Sequence, residues 1–194
     1  MSTLNTINKI KELGIKFITP EILATILEDT NMGNIYKTLK RLEANNILKN
    51  YSKGKYIFLD ATTNDFEIAN LIVQPSYISF ESALSFYGII SQFSYSVTSA
   101  TIERSKRLDV DEKTFEYTKI DNRLFNGYQK ENSFLIASKE KALFDYLYLA
   151  SRGLRSTDVS EWDLTGIDHK VYKTYCDKIK FVPVKKLSQK LKLI

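Results

Sequence analysis

From Met32 to Ala44 apolar residues return at spacings of three and four. At about 100° per residue, Met32, Ile35, Leu39 and Leu42 fall on one stripe, and Gly33, Lys37, Lys40, Arg41 and Ala44 fall opposite with Asn34 at the edge. This pattern predicts a helix with one face for a core and one face left over. Thr30 or Asn31 supplies the cap, and Asn45 and Asn46 end the helix. Ile47 to Tyr51 and Tyr56 to Leu59 then read as two strands joined by Ser52-Lys53-Gly54-Lys55.

The same reading extends in both directions. Leu4, Ile7, Ile10 and Leu13 give a first helix stopped by Gly14. Thr19-Pro20-Glu21 is a helix start, with Thr19 as cap and Pro20 at the first helical position, and Ile22, Leu23, Ile26 and Leu27 are its apolar side. Helix, helix, short turn, helix, hairpin is the order of a winged helix-turn-helix, placed at residues 1 to 60. Ala61 to Asn64 is polar and unperiodic, so a second domain is expected over residues 65 to 194. There a helix is predicted from Asp65 to Gln74, and another capped by Ser79 and closed by Gly88. Phe93 to Thr101 and Thr114 to Ile120 alternate as strands, with Glu103 to Lys113 as the connection. A hairpin over Leu124 to Gln129 and Ser133 to Ala137 precedes a helix capped by Ser138 and stopped by Gly153. Trp162 falls in a loop, and helices follow from Asp168 to Lys178 and after Pro183. The expected class is α+β: the winged domain, then a mixed α/β domain with a small, mainly antiparallel sheet.

Charge turns the free helix face into a functional expectation. Lys37, Lys40, Arg41, Lys49, Lys53 and Lys55 stand against a single acid, Glu43. The chain as a whole is +5 with a pI near 9.1. A face of this kind suits a polyanion, and its place in the third helix of the expected fold points to double-stranded DNA. Asn34 and Lys37 lie near the helix start, where side chains reach base edges. Asn31 adds a polar group there, and Gly33 lets a backbone approach closely. Lys40, Arg41, Lys53 and Lys55 suit phosphates. A second basic run, Lys170 to Lys192, closes the chain.

Other chemistry is poorly provided for. The single Cys176 excludes an intramolecular disulfide, and with one histidine, His169, no zinc set can be assembled. No phosphate loop, dinucleotide fingerprint or nucleophile elbow occurs. Asp109, Asp111, Glu112 and Lys113 are the best residues for a metal-dependent nuclease, but they crowd an expected hairpin tip. A non-enzymatic protein with neither cofactor nor metal is expected. No apolar run reaches the roughly 18 residues of a membrane span, so a cytoplasmic protein is expected.

The second half resembles a known family. Tyr77-Ile78-Ser79-Phe80-Glu81-Ser82-Ala83-Leu84-Ser85-Phe86-Tyr87-Gly88, then Tyr95 to Ala100, Arg104 and Arg107, Phe115-Glu116-Tyr117, and Ala137-Ser138-Lys139-Glu140-Lys141-Ala142-Leu143-Phe144-Asp145 follow in the order of the AbiEi antitoxins. Those are antitoxins of type IV toxin-antitoxin systems, related to abortive phage infection, and they too begin with a winged helix-turn-helix. The resemblance implies a repressor of its own operon that binds inverted repeats in operator DNA. It also implies a C-terminal domain that counteracts a toxin with a nucleotidyltransferase fold. Arg104, Lys106 and Arg107, basic residues in the expected connection, are the candidate partner surface. The alternative is a stand-alone winged-helix repressor whose C-terminal domain senses a ligand, with Tyr77, Phe80, Phe86, Tyr87, Phe93 and Tyr95 as pocket candidates.

Overall fold

The apolar stripes of the first three helices meet around Ile10, Leu23, Ile35, Leu39 and Leu42, each fully buried. A computed structural model describes residues 3–58, 64–91, 95–110 and 112–194. In it the chain divides into two units, Met1–Ile72 and Val73–Ile194. The first contains α1 (Thr3–Glu12), β1 (Phe17–Ile18), α2 (Pro20–Leu27), α3 (Met32–Ala44), β2 (Leu48–Ser52), β3 (Lys55–Phe58) and α4 (Asp65–Ile72). Its three strands form an antiparallel sheet in the order β1-β3-β2. Helix starts follow the local chemistry: Thr19 Oγ1 accepts from the Ile22 amide at 3.3 Å, and Pro20 opens α2. Of the polar stretch expected between domains, 61–63 lie outside the described residues, and α4 groups with the first unit, where Lys16 donates to Glu67 at 3.0 Å.

The second unit is built on β4 (Ser76–Ile78), α5 (Phe80–Phe86), β5 (Ser96–Thr101), β6 (Lys106–Val110), β7 (Lys113–Lys119), β8 (Tyr128–Glu131), β9 (Phe134–Ala137), α6 (Lys139–Ala150), α7 (His169–Asp177) and α8 (Val182–Lys190). The class is mixed α+β, and the sheet is larger than expected and mixed, with three of its five pairings antiparallel. It has six strands in the order β6-β7-β5-β4-β9-β8, and the β4–β9 and β5–β7 pairs are parallel. Part of the growth comes from β6, which occupies what was expected to be a plain connection. Its Lys106 to Val110 register against Tyr117 to Lys113 makes a hairpin at the sheet edge.

Strand β5 also departs from its alternating pattern. Phe93 is outside the described residues, and from Val97 to Thr101 both faces are buried. The buried hydroxyls have uses that a period-two pattern does not reveal. Thr98 accepts from the Ser82 amide at 3.0 Å and donates to the Ser79 carbonyl at 2.7 Å, while its own amide donates to Ser82 Oγ at 2.8 Å. Thr98 therefore caps α5 from a neighbouring strand. Ser79, the expected cap, makes no side-chain cap bond and donates instead to Asp145 Oδ2 at 2.9 Å. Between these anchors Phe80 is held buried at a φ of 55°, a left-handed conformation costing about 1–3 kcal/mol.

Asp145 is the centre of a buried polar cluster. Tyr77 donates to the same Oδ2 at 2.9 Å, and Lys141, one turn earlier on α6, pairs with Oδ1. Lys141 Nζ also lies 5.6 Å from the Tyr77 ring and 5.5 Å from that of Phe144. Burial pulls the lysine below its ordinary pKa, and Asp145 opposes that pull. Asp145→Ala should cost about 3–5 kcal/mol, because it strands a buried ammonium. Lys141→Met should cost less, since it removes the charge and leaves the carboxylate held by two hydroxyls. Urea unfolding followed by Trp162, the single tryptophan and part of this unit, checks the order.

Burial likewise pushes the phenols of Tyr77, Tyr146 and Tyr172 up. Each stays neutral in the folded chain at pH values where the unfolded chain ionises, about 10 and above. Their contribution is therefore fully present below about pH 10 and lost as the pH rises further. Lys141 works in the opposite sense, as one group against these phenols and that of Tyr87, which burial also pushes up. The expected result is a urea midpoint for the second unit that falls steeply above about pH 10, with tyrosinate absorbance growing alongside unfolding.

Candidate nucleic-acid interface

Helix α3 presents the predicted residues as a set. Asn31, Gly33, Asn34, Lys37, Lys40 and Arg41 are all exposed, whereas Ile35, Leu39 and Leu42 are sealed beneath them. Met32, expected in the stripe, sits at its rim and is 38% exposed. Lys37, Lys40 and Arg41 have no carboxylate partner among the described residues. At the hairpin tip Gly54 takes a φ of 68°, and Lys53 and Lys55 on either side are exposed. A β-carbon on Gly54 would stand 3.9 Å from Pro20 Cδ, so the tip leans on the first turn of α2.

The start of α3 is organised by side chains. Asn31 Oδ1 accepts from the amides of Gly33 at 3.0 Å and Asn34 at 3.3 Å, so that oxygen serves the cap. Gly33 is part of the same device: a β-carbon there would come within 3.1 Å of Asn31 Oδ1. Its lack of a side chain spares the cap a shift of a few tenths of an ångström and leaves the surface open. Asp29, missed in the sequence, accepts from the Asn31 amide at 2.8 Å and from Asn34 Nδ2 at 3.3 Å. Asn34 is thereby tied by its nitrogen, leaving its carbonyl oxygen as the group without a hydrogen bond among the described residues. Tyr36, also missed, is 49% exposed and falls next to Lys40 by helical rotation. Its exposure was the available signal, since an outward tyrosine breaks the polar face.

No protein-family model and no curated protein matches the chain.

The residues expected to face a partner in the second unit do not share one surface. Arg104 precedes β6, and Lys106 and Arg107 are successive on it, so their side chains leave opposite faces of the sheet. All three are exposed, but Arg107 is engaged by Glu116 at 3.3 Å and Asp109 at 3.8 Å. The aromatic pocket candidates also separate. Tyr77 and Phe80 are fully buried, while Phe86 is 46% and Tyr95 84% exposed. A cavity of about 380 Å³ lies elsewhere in this unit, lined by Glu81, Tyr146, Asp158, Glu161 and Trp162. Its acids make it unsuited to a polyanion. Among the described residues no group of three metal-ligating side chains occurs, and no helix is long and apolar enough to cross a membrane.

Asn31→Ala should remove the cap and cost α3 about 1 kcal/mol. Hydrogen exchange resolves the effect: the Gly33 and Asn34 amides should lose protection first, with the second unit unchanged.

Proposed function

We propose that the first unit is a winged helix-turn-helix that binds double-stranded operator DNA, with α3 as recognition helix and the β2–β3 hairpin as wing. The observation that carries this reading is the exposed face of α3, where Asn34, Lys37, Lys40 and Arg41 stand above a sealed apolar stripe. The order of elements agrees, since a recognition helix enters the major groove with its early residues nearest the bases. Asn34 and Lys37 are the base readers, and Lys40, Arg41, Lys53 and Lys55 hold phosphates.

We further propose that the protein is the antitoxin of a type IV toxin-antitoxin system. In this reading it represses its own operon at inverted repeats, and its second unit counteracts a nucleotidyltransferase-like toxin. Support comes from the AbiEi-like motifs, several of which hold this unit together: Tyr77, Ser79, Lys141 and Asp145 make one buried cluster. Arg104 and Lys106 are the surface cations left for a partner, with Arg107 partly neutralised.

Electrophoretic shift of the upstream promoter at several salt concentrations tests the first proposal. Lys40→Ala and Lys53→Ala should weaken all sequences alike and lower the slope of log affinity against log salt by about 0.9 each. Asn34→Ala should instead relax preference at one position by about 1–3 kcal/mol. Absence of promoter binding even at low salt would sink the reading. For the antitoxin, Arg104→Glu with Lys106→Glu should impair rescue from the neighbouring toxin in co-expression while sparing promoter repression. Equal loss of both would show that the two activities are not separate.

A further inference from the structure

Asp29 decides which half of the Asn34 amide faces outward, and with it which base α3 can read. The acid sits in the turn between α2 and α3. Glu28 ends α2 in a left-handed conformation at a φ of 54°, and the Asp29 amide donates back to the Ala24 carbonyl at 3.2 Å. The end of one helix thus places a carboxylate at the start of the next. Its Oδ1 accepts from the Asn31 amide at 2.8 Å, and its Oδ2 accepts from Asn34 Nδ2 at 3.3 Å. Asp29 makes no ion pair with a cation among the described residues, so these two bonds are what the carboxylate contributes.

An ionised carboxylate only accepts hydrogen bonds. Beside it, the exposed Asn34 has to turn its Nδ2 toward the acid and its oxygen toward solvent. That oxygen is an acceptor on a face where Lys37, Lys40 and Arg41 carry donors only. In the major groove every base pair sets an amino donor, on adenine or cytosine, against a keto acceptor, on thymine or guanine. An outward oxygen therefore selects the amino base. Adenine fits further, because its N7 can accept the Nδ2 hydrogen that Asp29 leaves free. An acid serving only the helix start would need the bond to Asn31 and nothing more; the second oxygen on Asn34 is what a role in recognition explains. Given the duplex-binding role of α3, on which this rests, we propose that Asp29 is a positioning residue that fixes Asn34 to select adenine at one operator position.

The test is selection by the full chain from a pool of DNA duplexes randomised across the promoter site, with fluorescence anisotropy of single duplexes at several salt concentrations. The position read by Asn34 is the one at which Asn34→Ala loses its preference. There the wild type should favour adenine over thymine roughly tenfold. Asp29→Asn should reverse that order: its one side-chain oxygen stays with the Asn31 amide, its NH2 faces Asn34, and Asn34 turns its own NH2 outward to a keto base. Asp29→Ala should leave the position without a preference and the salt slope unchanged. Weakening of all sequences alike by both Asp29 variants, with the order of bases kept, would make the residue merely structural and overturn the proposal. Selection of any other base there by the wild type also overturns it. Salt-dependent duplex binding with no position that answers to Asn34→Ala overturns it while the duplex reading stands, whereas absence of duplex binding at low salt removes both. If Asp29→Asn does not fold by circular dichroism, the wild-type chain decides with a duplex carrying purine, which lacks the N6 amino group, in place of that adenine. Binding roughly tenfold weaker is expected, and equal binding overturns the proposal.

Discussion

Asp145 accepts from Tyr77 on β4, from Ser79 where β4 passes into α5, and from Lys141 on its own helix, so a strand, a helix start and a second helix share one carboxylate. A buried charge of this kind is costly unless every lone pair and proton finds a partner in the right place. That requirement constrains far more than the four residues. Ser79 can reach Asp145 only because it gives up the cap of α5, and the cap then has to come from Thr98 on β5. Phe80 is in turn fixed between the two. Much of the packing of β4, β5, α5 and α6 thus follows from satisfying one carboxylate.

The first unit is arranged by a different constraint. Its core is apolar, and Lys37, Lys40 and Arg41 of α3 make no ion pair with an acid among the described residues. Lys37 lies three residues from Lys40 and four from Arg41, spacings at which like charges oppose helix formation by about 0.2–0.5 kcal/mol each. The Asn31 cap and the buried stripe of Ile35, Leu39 and Leu42 outweigh that repulsion. A helix face that works against its own stability, while every other local feature supports the helix, is the kind of exception expected at a site kept for a partner. Asp29 refines this picture, because an acid at the edge of a basic face would be wasteful unless it orients something, and it holds Asn34.

Periodicity made the helices and most strands legible, since each buries one face. Thr19 and Ser138 could be read as caps because the bonds they make are local in sequence. What could not be read depends on distant residues. Ser79 looks like a cap in its own segment and is diverted by Asp145, 66 residues away. Strand β6 has an exposed, charged pattern because it is a sheet edge, and locally that is indistinguishable from a loop. Lys141 and Asp145 read as ordinary solvated helix positions, one turn apart, until the sheet that buries them is known. The exposed face of α3 was legible for the opposite reason: no described residue of its own unit that is distant in sequence packs over it.

On α3 and the hairpin the cations stand with Tyr36 as the one exposed ring near them among the described residues, so affinity there would come mainly from counterion release and fall steeply with salt. Rising ionic strength should therefore strip ligand from this surface.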